Sequence, residues 1–140
     1  MRIIIASSLS LFIFGTALAH HKETFEYIKR VPPVMPQQSS QSGYCCMTYD
    51  IDKYGLTKNI SASYCTEAYL AEPSKQALAK WIYDTKKKDG TNVKSESLTT
   101  YMSFVLTDQF GAVIPGKNDF MTKKPDGSYN KEKTCGLLVS

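Results

Sequence analysis

Two adjacent cysteines set the strongest constraint in this sequence. Cys45 and Cys46 lie in Gly43-Tyr44-Cys45-Cys46-Met47-Thr48-Tyr49-Asp50-Ile51-Asp52, where Cys45, Met47, Tyr49 and Ile51 alternate with Cys46, Thr48, Asp50 and Asp52. Alternation of period two marks a half-buried strand. Neighbours on a strand point to opposite faces of the sheet, so the two sulfurs need partners on different faces. The other two cysteines are Cys65 and Cys135. An even count in an exported chain reads as two disulfides, with three ways to connect them. Simple alternation puts Cys65 on the face of Ser61 and Ser63, which favours Cys46 as its partner. Alternation commonly fails where a strand ends, so spacing alone leaves the pairing open.

The N-terminus supplies the compartment. Arg2 is followed by an apolar run from Ile3 to Leu18, and Ala17-Leu18-Ala19 has small residues where a signal peptidase requires them. The run is shorter than the about 20 residues that a membrane span needs. Residues 1–19 are therefore expected to be a cleaved signal peptide, and the mature protein to be periplasmic or secreted.

The chemistry-bearing residues give no case for an enzyme. The four cysteines show no chelating C-x-x-C spacing, and both histidines, His20 and His21, sit where the mature chain would begin. A catalytic thiol would need a histidine to activate it. Asp50-Ile51-Asp52-Lys53-Tyr54-Gly55 superficially resembles the start of a calcium loop, but Tyr54 occupies a ligand position and Ser61 stands where the closing Glu belongs. No phosphate or dinucleotide fingerprint occurs. The reading is no metal, no cofactor and no catalysis. The net charge of +4 is spread thinly, its densest run being Lys86-Lys87-Lys88, so nucleic acid is not an expected partner.

The 140 residues suffice for one core. Residues 20–42, with Val31-Pro32-Pro33-Val34-Met35-Pro36 and a Gln/Ser tract, read as an extended lead-in. Asp52 to Gly55 is a turn, and Lys58, Ile60, Ala62 and Tyr64 form one face of a second strand. The period then becomes helical: Ser74, Ala77, Leu78, Trp81 and Ile82 share a face, with Pro73 in the first turn. Lys86 to Gly90 is the exit loop. Leu98, Thr100, Met102, Phe104 and Leu106 alternate along a third strand, and residues 108–140 are a tail with one hairpin, closing in Leu137-Leu138-Val139. The expected fold is α+β: a small antiparallel sheet in the order strand-strand-helix-strand, over residues 43–107, with one helix across it. Its expected core is Met47, Tyr49, Ile51, Ile60, Leu78, Trp81 and Phe104.

The segment Gly43 to Gly55, with its alternating apolar residues, aromatic-Asp-aliphatic step and Gly-closed turn, resembles the opening hairpin of the TonB C-terminal domain family. Lys58-Asn59-Ile60 is similar to that family's second strand. Leu70, Ala77, Trp81 and Tyr83 resemble its helix and Trp-x-Tyr. The resemblance spans residues 30 to 107. It departs at Asp84-Thr85, where the family has a nearby Pro, and in lacking the long spacer and the histidine-bearing N-terminal helix of energy transducers, so it does not extend to proton-motive coupling. What it implies is the fold and the capture of an extended peptide from an envelope partner, such as an outer-membrane receptor in transport, by strand addition. It also implies Cys45–Cys65, which leaves Cys46–Cys135 to pin the tail.

An unpaired strand edge must be covered, charged or used. Ser97 to Leu106 carries no charge, and Tyr101, Ser103 and Val105 mark the candidate peptide-binding edge. The competing reading is a structural or envelope-stress protein in which the tail, or a homodimer, covers that edge.

The export reading has a direct check. Protein purified from the cell envelope is expected to begin at His20; an intact mass that retains Met1 to Ala19 would mean an anchored chain.

Overall fold

The computed structural model describes residues 25–86 and 92–135. The signal segment, His20 and His21, most of the exit loop and Leu137-Leu138-Val139 lie outside the described residues. The centre is a three-stranded antiparallel sheet, in the order β3-β2-β5, of β2 (Gly43–Ile51), β3 (Thr57–Cys65) and β5 (Ser95–Phe104). A 3₁₀ turn, Ala68–Leu70, runs into α1 (Ala71–Leu78), which packs against β3 and β2. The α+β core of strand, strand, helix and strand is thus present. A two-stranded sheet adds to it, pairing β1 (Glu26–Lys29) with β4 (Ile82–Asp84).

The β2–β3 turn is built by Asp52, whose Oδ1 accepts the Tyr54 and Leu56 amides. Gly55 closes it with φ +84°, a conformation L side chains rarely adopt. A Cβ there would also stand 2.0 Å from the Tyr83 carbonyl oxygen.

Register explains the disulfides. Cys45 lies opposite Cys65 and Cys46 opposite Tyr64, but Met47 opposite Ala62, so Ser63 is an extra residue in β3. A bulge of one residue reverses which face the following residues occupy. Cys65 and Ala62 therefore pack on the inner face with Cys45, while Tyr64 joins the outer one. The sulfurs bond as Cys45–Cys65 and Cys46–Cys135. Strict alternation, which would keep Tyr64 with Ala62 and join Cys65 to Cys46, is overturned by this bulge. Further along, Asp50 anchors two more irregularities: its carboxylate accepts Asn59 Nδ2 at 2.7 Å from β3 and the Ser97 amide at 2.8 Å from β5. Asn59 and Ser97 both have positive φ. These hydrogen bonds hold the Asp50 carboxyl below its usual range.

The inner face of the sheet carries the main core. Met47, Tyr49, Ile51, Leu78, Trp81 and Phe104 are buried together with Leu70, Tyr83 and Met102, and Ile60 is partly buried against them. One element differs from the helical reading. Helix α1 ends at Leu78, so Trp81 precedes β4 and Ile82 belongs to it. The amides of Lys80 and Trp81 donate to the carbonyls of Ala77 and Leu78, tightening the last turn. Trp81 is nonetheless 1% exposed. Its indole Nε1 donates to the Val31 carbonyl at 2.7 Å, tying the lead-in to the core.

The tail occupies the outer face. A hairpin of β6 (Leu106–Thr107) and β7 (Val113–Ile114) follows β5. Beyond it, Phe120 and Met121 pack with Tyr44 and Cys46 in a second, smaller core. The Phe120 and Tyr44 rings meet edge-on at 5.1 Å.

Trp81→Ala is expected to cost about 3–5 kcal/mol, the range for removing a large buried aromatic. Trp81→Phe keeps most of the packing and loses the bond to Val31, so its expected cost is smaller. Denaturant melts of both variants check this, and a loss under about 1 kcal/mol for Trp81→Ala would mean that the side chain contributes little to the core.

Candidate functional site

Strand β5 is bonded to β2 on one side. Among the described residues, no backbone group pairs with its other side. The tail does not take that position, because its apolar residues turn toward Tyr44 and Cys46 on the outer face. Tyr101 stands opposite Cys46 and Met102 opposite Cys45. Directly opposed residues share a face, so Tyr101 is on the outer face and Met102 on the inner one. Tyr101 is exposed and Met102 buried, as that geometry requires.

A groove of about 310 Å³ lies along this edge, lined by Arg30, Pro32, Pro33, Trp81 and Tyr101 to Ser103. Lining by three successive strand residues, which face alternate sides, places the groove at the rim of the sheet rather than over one face. One wall is therefore β5 and the other is the lead-in. Of the three residues marked from the sequence as the edge, Tyr101 and Ser103 line the groove. Val105 is exposed but falls between β5 and β6. The chain leaves the sheet there because the Leu106 amide donates to Ser42 Oγ at 2.9 Å.

The lead-in wall is not legible in the sequence. Glu26 to Lys29 is too short and too polar to show alternation, and it becomes a strand by pairing with β4. Its aromatic residue builds a cluster: the Tyr27 ring meets Trp81 at 5.4 Å and Tyr83 at 4.8 Å. The Arg30 guanidinium lies 4.8 Å from the Trp81 ring centre and 5.2 Å from that of Tyr27. The Pro-rich run and the nearby arginine were the available signal, but nothing in their spacing says which element they approach.

Beside this cluster, the hydroxyls of Tyr49 and Tyr83 share a 2.6 Å hydrogen bond. Burial pushes both phenols above their ordinary range, and for Tyr83 the neighbouring Tyr49 and Tyr27 hydroxyls push further the same way. Tyr44, on the other face, moves in the opposite direction. Burial raises it, but hydrogen bonds with Thr134 and Asn118 outweigh that and hold it below its ordinary value. Among the described residues no cluster of three His, Cys, Asp or Glu side chains is placed to hold a metal ion.

No family model and no curated protein matches the chain. One solved structure, described as a molecular characterization of the TonB2 protein from Vibrio anguillarum, is similar at 21% identity, covering 76% of this chain and 100% of that one, with a TM-score of 0.47.

The tyrosine pair gives an alkaline signature. A phenol raised in the native state favours folding fully below the unfolded value, about 10, and this stabilisation is lost as pH climbs toward the native value. Tyr44, being lowered, offsets part of the loss above pH 10. The melting temperature is expected to hold from pH 7 to 9 and fall beyond about 10. In Tyr49→Phe/Tyr83→Phe the alkaline fall is expected to be shallower. An unchanged slope would exclude the pair as its source.

Proposed function

We propose that this is an exported, non-enzymatic binding module that captures an extended peptide, or an extended segment of an envelope protein, by adding it as a strand to the edge of β5. The observation that carries the reading is an edge without charge from Ser97 to Leu106, without a backbone partner among the described residues, and flanked by a groove. Strand addition uses such parts: main-chain hydrogen bonds supply affinity and pockets for alternate side chains supply selectivity. A role in outer-membrane transport follows only from the resemblance of residues 30 to 107 and belongs to this proposal.

The competing reading, a structural or envelope-stress protein with its edge covered, draws on one observation: the tail comes close to β5, with Lys133 Nζ 5.6 Å from the Tyr101 ring centre. The two readings differ in the free protein. Strand addition requires the outward amides of residues 99–103 to exchange quickly with solvent and to become protected when a peptide binds. Hydrogen exchange resolved by residue makes the distinction. Slow exchange of these amides without any ligand, at low protein concentration, would establish the covered edge; protection that appears only on raising the protein concentration would establish a homodimer.

A further inference from the structure

We propose that the β5 edge selects strands carrying two neighbouring acidic residues, one carboxylate meeting Arg30 and the other Lys133; this rests on the strand-addition reading above. Arg30 borders the groove from the inner side. It lies over Trp81, a member of the inner core, and lines the same groove as Tyr101, Met102 and Ser103. Lys133 stands on the outer side, with Nζ 5.6 Å from the ring centres of both Tyr101 and Phe120, and donates to the Lys131 carbonyl at 3.2 Å. Both cations thus converge on one short stretch of β5, from opposite faces.

Neither cation makes an ion pair among the described residues. Each rests on aromatic rings, which attract a cation weakly and leave its charge available to an anion. Arg30 is exposed and Lys133 half-buried, so both heads remain accessible. The stretch between them supplies no acid of its own, since Ser97 to Leu106 is uncharged, and the acid near the strand's start, Glu96, pairs with Lys94 at 3.6 Å.

Strand geometry then sets the spacing of the acids. Successive side chains of an added strand point to opposite faces. Adjacent acidic residues therefore send one carboxylate toward each cation. Two acids separated by one residue send both to the same face, leaving one cation unmet.

The test uses the purified, disulfide-bonded protein and three synthetic peptides of about nine residues, an ordinary strand length. All have the same alternating Val/Thr frame, with a centre of Glu-Glu, Gln-Gln or Glu-Thr-Glu. By calorimetry, Glu-Glu is expected to bind about threefold to tenfold more tightly than Gln-Gln, the range for two partly exposed ion pairs. Glu-Thr-Glu is expected to fall between them. The preference should shrink in Arg30→Gln and in Lys133→Gln, vanish in the double variant, and return with Arg30→Lys. Unchanged Gln-Gln affinity in the double variant would show that the edge itself is intact. Equal affinity for Glu-Glu and Gln-Gln, with residues 99–103 protected by both, would overturn the acidic selection and leave strand addition standing. Equal affinity for Glu-Glu and Glu-Thr-Glu would overturn the two-face arrangement. Binding that protects no β5 amide, or no binding at all, would overturn both proposals.

Discussion

The structure depends on a central strand that is buried on both faces. From Gly43 to Ile51, β2 has neighbouring strands on both sides, the main core beneath it and the tail above its first half. A sheet with one wet face needs polar residues at every second position, but Tyr44 and Cys46 are as buried as Met47. The adjacent cysteines make this two-sided burial covalent. Cys45 ties β2 to the end of β3 on one face, and Cys46 ties it to a residue far along the chain on the other. By restricting the unfolded chain, each such bridge contributes roughly 2–4 kcal/mol. The second one closes much the longer loop, so it also limits how far the tail can leave the outer face.

Where periodicity is strong, the sequence already describes the fold. The second half of β2 and β5 show clear alternation, and their residues bury accordingly. The errors lie where a local irregularity is set by a distant contact. Ser63 reads as one more alternating polar residue, but as the extra residue of a bulge it sends Tyr64 and Cys65 to faces opposite those expected. Trp81 follows Leu78 at helical spacing, so the pattern extends the helix past its end. A buried residue one turn beyond a helix terminus can meet the same core, and spacing cannot distinguish the two.

The candidate site was half legible. The uncharged run from Ser97 to Leu106 is visible in the sequence, and with it Tyr101 and Ser103. The opposite wall is not, because Arg30, Pro32 and Pro33 reach the groove through long-range contacts: the pairing of β1 with β4, the bond from Trp81 to Val31, and the stacking of Tyr27 and Arg30. Lys133 is equally hidden, since the tail's course depends on Phe120 and Met121 finding Tyr44 and Cys46. Isolated apolar residues among turn formers give no period from which to read a docking face.

The composition of that second wall bears on how an open edge is kept safe. An uncharged edge strand invites pairing with other chains, and a strand paired to it would present a fresh edge to the next. Pro32 and Pro33 line the same groove as Tyr101 to Ser103. Neither has a backbone N–H, and proline cannot donate to a strand ladder. Under the strand-addition proposal, a segment entering the groove would draw backbone hydrogen bonds from β5, while these prolines would offer it no donors. Under the same proposal, lead-in and edge together would form a slot that takes one extended segment and is poorly suited to serial stacking. The Pro-rich run, in this reading, acts less as a spacer than as the boundary that makes an exposed strand tolerable.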